Sequence, residues 1–153
     1  MVAVELKRIY TTPGCEVDVC ANVLWVSRHP PIKAQLVELE NKLACVNVFQ
    51  LSGTIPNAEF VMEKAKSINA WAIVAVLPLS FIARLSELCR KESIELLWAE
   101  MEQRDILSHE PVPGEDYDPD TEVWVKGYEN TYKIMHFKGF KRIKAVKLEL
   151  EEW

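Results

Sequence analysis

The order of apolar and polar positions along the chain predicts four strands that alternate with three helices. The predicted strands are short β-branched or aromatic runs, which are typical of buried strands, at residues 22–27, 45–51, 71–77 and 94–99. Between these runs apolar residues recur every three or four positions, as on one face of a helix, at residues 32–43, 58–68 and 79–91. We expect Pro31 in the first turn of the first helix.

This alternation favours βαβ units with right-handed crossovers and a parallel sheet. The predicted class is therefore α/β, a small Rossmann-like or flavodoxin-like domain with helices on both faces. If the four predicted strands are numbered along the chain, the expected order in the sheet is 2-1-3-4.

The last third of the chain predicts an antiparallel β appendix. Residues 121–125, 132–137 and 142–149 alternate like strands, with Gly127 and Gly139 at the expected turns. Residues 2–9 alternate in the same way, and we expect them to pair with this appendix. The predicted organisation is a single domain of residues 1–153, with a Rossmann-like core at 22–99, an acidic loop at 100–121 and a basic β appendix at 122–151.

Composition and charge narrow the classes of function. With 153 residues, of which 49% are hydrophobic, the chain has enough apolar material for one core. A net charge of −5 argues against non-specific binding to duplex nucleic acid or to an anionic membrane. Residues 100–122 contain nine acidic residues and one arginine, whereas residues 123–148 contain seven Lys or Arg and one Glu. We interpret the acidic part as a mobile loop.

The sequence also predicts a cytoplasmic protein with no membrane partner. The longest apolar run, residues 70–83, contains Pro78 and Ser80 and is too short to cross a bilayer, and the N-terminus has no signal-peptide core. The cysteines show no C-x-x-C spacing, so we expect all four to be reduced: Cys15, Cys20, Cys45 and Cys89.

Polar residues follow the predicted strands where a ligand would bind. In open α/β sheets ligands lie beyond the carboxyl ends of the strands, where the strand order reverses. The first strand delivers Ser27, Arg28 and His29 to that point. The remaining expected ligand-binding residues follow the second and third strands: Gln50, Ser52, Thr54, Pro78, Leu79 and Ser80.

These residue types suit a phosphate-bearing ligand. Arginine offers a fork of donors to phosphate oxygens, and helix N-termini add backbone N–H groups. Histidine transfers protons near neutral pH, and Ser27 is a hydrogen-bond donor or, if His29 activates it, a nucleophile. The chain has no P-loop, G-x-G-x-x-G or G-x-S-x-G motif, and its three histidines lack the spacing of metal ligands, so we expect no metal and no other cofactor.

Two short stretches, VSRHPP at residues 26–31 and AVLPLSFIARL at residues 75–85, resemble the signature segments of a known family. They are similar to small CRISPR-associated single-domain proteins related to CARF sensors, several of which are ring nucleases that degrade cyclic oligoadenylates. The resemblance covers roughly residues 22–100 and implies a CARF-like fold and a homodimer that holds the ring nucleotide across a two-fold axis. It also implies metal-independent cleavage, in which Arg28 binds the phosphate and His29 acts as acid or base, and it places Arg84 among the ligand-binding residues.

Three other interpretations remain open. Ser27, Arg28 and His29 are also compatible with a helix cap, a surface ion pair and an exposed imidazole. Arg28-His29 is compatible with a histidine-phosphatase-like site, although Pro30 occupies the position of the glycine that usually follows that pair. The third interpretation is a non-catalytic nucleotide-sensing or protein-interaction module of viral or mobile-element origin that acts through the acidic loop or the basic appendix.

Overall fold

The computed structural model describes residues 3–153 and contains one mixed sheet with helices on both faces. The predicted α/β class is confirmed. The helices are α1 Lys33–Leu43, α2 Ala58–Ser67 and α3 Leu79–Glu92, with a single 3₁₀ turn at Val17–Val19. The strands are β1 Glu5–Thr11, β2 Ala21–Val26, β3 Val46–Ser52, β4 Ala72–Ala75, β5 Glu95–Leu107, β6 Glu122–Lys126 and β7 Tyr132–Arg142. Helix α1 begins two residues after Pro31 rather than including it.

The sheet has seven strands in the order β1-β3-β2-β4-β5-β7-β6. Strands β3, β2, β4 and β5 are mutually parallel, as expected for strands joined by helical crossovers. The predicted four-strand order 2-1-3-4 does not describe this sheet as a whole. Antiparallel β1 extends one edge, and antiparallel β7 and β6 extend the other.

Strand β2 lies inside the sheet, between β3 and β4, and is buried on both faces. Leu24 and Val26 pack against α2 and α3 in one core. Val23 and Trp25 point the other way and pack with Leu39 of α1 in a second core. Because successive side chains of a strand point to opposite faces, a continuous apolar run is what a double-sided position requires.

The N-terminal strand does not pair with the C-terminal appendix, so that prediction is wrong. Strand β1 instead pairs antiparallel with β3, from Glu5 opposite Ser52 to Thr11 opposite Asn47, at the far edge of the sheet. Val2, part of the predicted strand, lies outside the described residues. An alternating pattern shows that a segment suits a sheet edge, but it does not identify the edge.

The predicted acidic loop is a strand for its first eight residues. Strand β5 continues to Leu107 and pairs with β7 from Leu97 to Leu107. The acidic side chains of β5 form ion pairs with basic ones of β7, including Glu102 with Lys138 at 2.9 Å and Glu100 with Lys141 at 3.0 Å. Part of the uneven charge of the sequence is therefore complementary charge across one strand pair.

Of the two predicted strands around Gly139, residues 132–137 belong to a longer strand, β7, whereas the prediction for residues 142–149 is wrong, because β7 ends at Arg142 and residues 143–153 form no strand. Strand β7 runs without interruption to Arg142, and Gly139 lies inside it, with φ of 141°, next to a register shift of the β5–β7 pair. This glycine therefore permits a bulge rather than a turn. The other predicted turn is correct, because Gly127 closes the β6–β7 hairpin through a hydrogen bond from its N–H to the Thr131 carbonyl.

The prediction that all cysteines are reduced is wrong for two of them. Cys15 and Cys45 form a disulfide across 30 residues of sequence, while Cys20 and Cys89 are free. The β1–β2 connection brings the pair together, because the Thr12 N–H donates to the Val46 carbonyl at the start of β3. Sequence spacing alone does not reveal such a contact.

Residues 108–121 form a network of polar contacts with β5, β6 and α1. Glu122 is 5% exposed and accepts hydrogen bonds from the Arg104 guanidinium at 3.1 Å and from the Asp118 N–H at 3.1 Å. The Asp120 carbonyl accepts a hydrogen bond from the Ala34 N–H in the first turn of α1. The hydrogen bond from Arg104 lowers the pKa of Glu122 below its ordinary value of 4.5. The loop therefore depends on a carboxylate that folding keeps ionised.

None of the helices within residues 3–153 has the length and apolar character needed to span a membrane.

Replacing Glu122 by Gln should lower the free energy of unfolding at neutral pH by about 1–3 kcal/mol, because Arg104 and the loop amides lose a charged acceptor. Since folding lowers the pKa of Glu122, its contribution is present above the ordinary value of 4.5 and is lost as the pH falls through the folded value. Urea unfolding curves of the wild-type protein and the variant should therefore converge at acid pH.

The matched control is Glu102→Gln, which removes an exposed carboxylate on β5 that pairs with Lys138. Surface ion pairs contribute little, so this variant should unfold close to the wild-type midpoint at neutral pH. Equal midpoints for the two variants would show that the buried network does not hold the loop.

Candidate functional site

A cleft of about 250 Å³ lies at the carboxyl ends of β2, β3 and β4. The crossover helices leave this edge on opposite faces of the sheet, α1 on one side and α2 and α3 on the other. The cleft is therefore at the switch point where α/β sheets bind ligands. Its lining residues are Val26, Ser27, Arg28, His29, Leu51, Ser52, Gly53, Ile55, Val76 and Leu77.

Three hydrogen bonds fix the turn from Ser27 to His29. The Gln50 side-chain amide donates to the Ser27 carbonyl at 2.9 Å, and the Trp25 indole N–H donates to the His29 carbonyl at 2.9 Å. The His29 N–H donates to Ser27 Oγ at 3.1 Å. Trp25 is itself a core residue that is 3% exposed. The backbone that presents Arg28 is therefore anchored to the core of the sheet.

Arg28 and His29 extend their side chains from this turn into solvent. Within residues 3–153, no hydrogen bond or ion pair is formed by the Arg28 guanidinium or the His29 ring. Both groups thus keep their hydrogen-bonding capacity for a ligand. Ser27 Oγ contacts the backbone of His29 and not its imidazole, so its observed role is to shape the turn.

Gly53 forms the opposite wall at the end of β3. Its φ is +105°, and a Cβ there would lie 2.4 Å from the Ala3 carbonyl oxygen and 2.8 Å from Val4 Cα. The chain entering β1 therefore passes directly over this position, and only glycine fits. Gly53 was not among the residues predicted for the site, although a glycine directly after a predicted strand, in Ser52-Gly53-Thr54, could have indicated a close backbone approach there.

The other predicted site residues divide into three groups. Ser52 lines the cleft, whereas Gln50 supports the turn from behind. Thr54, which follows β3, is exposed and outside the cleft lining, and so are Pro78 before α3 and Leu79 and Ser80 in its first turn.

Arg84 lies on the outer surface between α2 and α3. Its guanidinium is 3.3 Å from Glu59 and 3.0 Å from Glu87. It is not part of the cleft lining, because one helical turn separates it from the start of α3 and its charge is already paired.

The helices that start near the cleft differ in how their first turns are capped. Asn57 Oδ1 accepts the Phe60 N–H of α2, and Gln35 Oε1 accepts the Ile32 N–H before α1. The N-cap of α3 is Pro78, which provides no side-chain acceptor. The first-turn N–H groups of α3 therefore lack the side-chain acceptor that Asn57 provides to α2.

The cleft combines one polar wall with one apolar wall. Arg28, His29 and Ser52 supply donors, and apolar side chains supply the rest, among them Val76, which is 64% exposed. Within the described residues the lining contains no carboxylate and no thiol, so this donor set does not suit a divalent cation. It suits an anionic group attached to a flat or apolar body.

Comparison with family models, with curated proteins and with solved structures gives no match for this chain. The resemblance of VSRHPP and AVLPLSFIARL to CARF-related proteins therefore stays a prediction from the sequence.

Replacing Gly53 by Ala should lower the free energy of unfolding by more than about 1 kcal/mol, because it adds a steric clash to an unfavourable φ. Gly14→Ala is the matched control, since Gly14 has φ of +82° but no atom within 4 Å of its Cβ position. Urea midpoints should fall further for Gly53→Ala than for Gly14→Ala. Equal losses would mean that the Ala3 segment does not close over the cleft wall.

Proposed function

We propose that the cleft binds a phosphate-bearing ribonucleotide, and that its substrate is a cyclic oligoadenylate which the protein cleaves without a metal. The observation that carries this proposal is the pair of exposed side chains, Arg28 and His29, on a fixed turn beside an apolar wall. The likeness of two segments to ring nucleases of the CARF-related class supports the choice of substrate.

Arg28 is the phosphate-binding residue in this proposal. A guanidinium is always charged and offers several N–H donors to phosphate oxygens. The turn anchors the backbone of Arg28, so less conformational entropy is lost when the ligand binds. The apolar wall of Leu51, Ile55 and Val76 covers a nucleobase on the same ligand.

His29 is the acid–base group. Neutral imidazole takes the proton of a ribose 2′-hydroxyl, whose oxygen then attacks the adjacent phosphorus. The bond from phosphorus to the 5′-oxygen breaks, a 2′,3′-cyclic phosphate forms, and the leaving 5′-oxygen takes a proton from solvent or from the imidazolium. Arg28 stabilises the charge on the phosphate during this step.

The size of the cleft favours a dimer as the active form. At about 250 Å³ it lies below the range of about 300–1,000 Å³ that is usual for ligand pockets and holds roughly one nucleotide unit. A ring of several nucleotides therefore requires more than one cleft. We propose that two protomers face each other across a two-fold axis. Each would contribute a Rossmann-like, CARF-like core, and the carboxyl ends of β2 and β4 from both would contact the same ring.

The test incubates purified protein, with a chelator present, with cyclic tetra-adenylate and cyclic hexa-adenylate, and follows binding by calorimetry and products by chromatography. His29→Ala should reduce the cleavage rate by about 10²–10⁴-fold with smaller effects on binding. His109→Ala is the matched control, because His109 is an exposed histidine paired with Asp116 away from the cleft.

In the same experiment Arg28→Ala should weaken binding by about 10–100-fold, the value of one or two charged hydrogen bonds. Arg90→Ala, an exposed arginine on α3, should bind like the wild type. Binding without cleavage by the wild-type protein would replace the enzyme proposal by a nucleotide-sensing module. Neither binding nor cleavage of either ring would overturn the proposed function.

A further inference from the structure

Three cysteines meet at the opposite end of the sheet from the cleft. The Sγ atoms of Cys15, Cys20 and Cys45 all lie within 4.8 Å of one another, and all three residues are half-buried. Cys20 directly precedes β2 and Cys45 directly precedes β3, so the amino ends of two adjacent parallel strands carry them. Cys15 comes from the connection between β1 and β2.

The loop that contains Cys15 and Cys20 is held in place by buried polar groups. Asn47 of β3 is 1% exposed, and its side-chain amide donates to the Val17 carbonyl at 2.9 Å and to Asn22 Oδ1 at 2.8 Å. Thr11 Oγ1 donates to Asn47 Oδ1 at 2.8 Å. This second layer of contacts fixes the short 3₁₀ turn between the two cysteines, as second layers do around metal centres.

The structure shows the oxidised state of this cluster, with Cys15 bonded to Cys45. Cys20 remains a thiol and donates a weak hydrogen bond to the Glu16 carbonyl at 3.2 Å. A dithiol reductant converts the cluster to three thiols: it supplies two electrons and two protons, the bond between the two sulfur atoms breaks, and the reductant becomes a disulfide.

We propose that the reduced cluster binds one thiophilic metal ion of the Zn²⁺ class through the three thiolates of Cys15, Cys20 and Cys45. Zn–S bonds of about 2.3 Å place the sulfur atoms of a tetrahedral site about 3.8 Å apart, within the separation that the cluster already has. The Cα atoms of Cys15 and Cys45 are 6.4 Å apart, which lets their sulfur atoms separate by side-chain rotation. Each thiol releases its proton to solvent, and water takes the fourth position.

The fourth cysteine, Cys89, is buried and lies outside the cluster. Cys89 is 2% exposed, and burial raises the pKa of its thiol to about 12. A thiol that stays protonated at neutral pH neither binds metal nor exchanges disulfides readily. Cys89 therefore provides the matched control.

The experiment reduces the full-length protein with a phosphine, removes the reductant without oxygen and titrates Cd²⁺ while recording the ultraviolet sulfur-to-metal absorption. Zn²⁺ affinity is then measured by competition with a chromophoric chelator. We expect one ion per chain in the reduced wild type, no response to Mg²⁺, and no binding by the oxidised protein, which retains only one of the three thiols.

Cys20→Ser should weaken binding by more than about 100-fold, since loss of a second-layer contact alone costs about 10–100-fold at known sites. This variant keeps the disulfide-forming pair, and its urea midpoint in the oxidised state shows whether it folds. Cys89→Ser should bind like the wild type. Absence of stoichiometric binding in the reduced wild type, or equal affinity in Cys20→Ser, would overturn the proposal.

Discussion

The double-sided burial of β2 is the constraint on which the rest of the molecule depends. Its residues Val23–Val26 are at most 3% exposed, and each face packs against a different helical layer. A strand in that position has neighbours on both edges, β3 and β4, and it cannot slip by one residue without exchanging its two cores. Because β2 cannot slip, the positions of the residues at its two ends are also fixed: Cys20 precedes the strand and Ser27 follows it.

Charge organises the other half of the sheet. The long pair of β5 and β7 extends beyond the two cores, and most of its residues are exposed or only partly buried, with Leu96 and Ile134 as its buried positions. Acidic side chains on one strand face basic ones on the other, and the buried Glu122 joins Arg104 of β5 to the loop that follows. That loop reaches back to the first turn of α1. Ion pairs and hydrogen bonds therefore link the β5–β7 pair to α1, the helix that begins shortly after the candidate site.

The parts of the fold that were predictable are those set by local periodicity. The bounds of α2 and α3 agree with the sequence pattern to within one residue, because their spacing reflects burial against a sheet. The pattern also placed Ser27, Arg28 and His29 at a strand end that borders the cleft. Contacts between distant segments were not predictable: the partner of β1, the Cys15–Cys45 bond and the ion pairs of Arg84 all depend on which surfaces meet after folding.

The cysteine cluster and the cleft lie at opposite ends of the same strands, β2 and β3. Strands β2 and β3 run from the cysteine cluster to the cleft. Strand β1 runs in the opposite direction: it begins next to Gly53 at the cleft and ends at Thr11, which contacts Asn47 near the cysteines. A change at one end would have to displace β2 or β3, and the close-packed cores on both faces of the sheet oppose such a displacement. We therefore expect metal binding or oxidation at one end to stabilise the sheet without changing ligand affinity at the other. Edge strand β1 pairs with β3 alone, and its register is already interrupted between Arg8 and Tyr10, so it is the least constrained of the three strands.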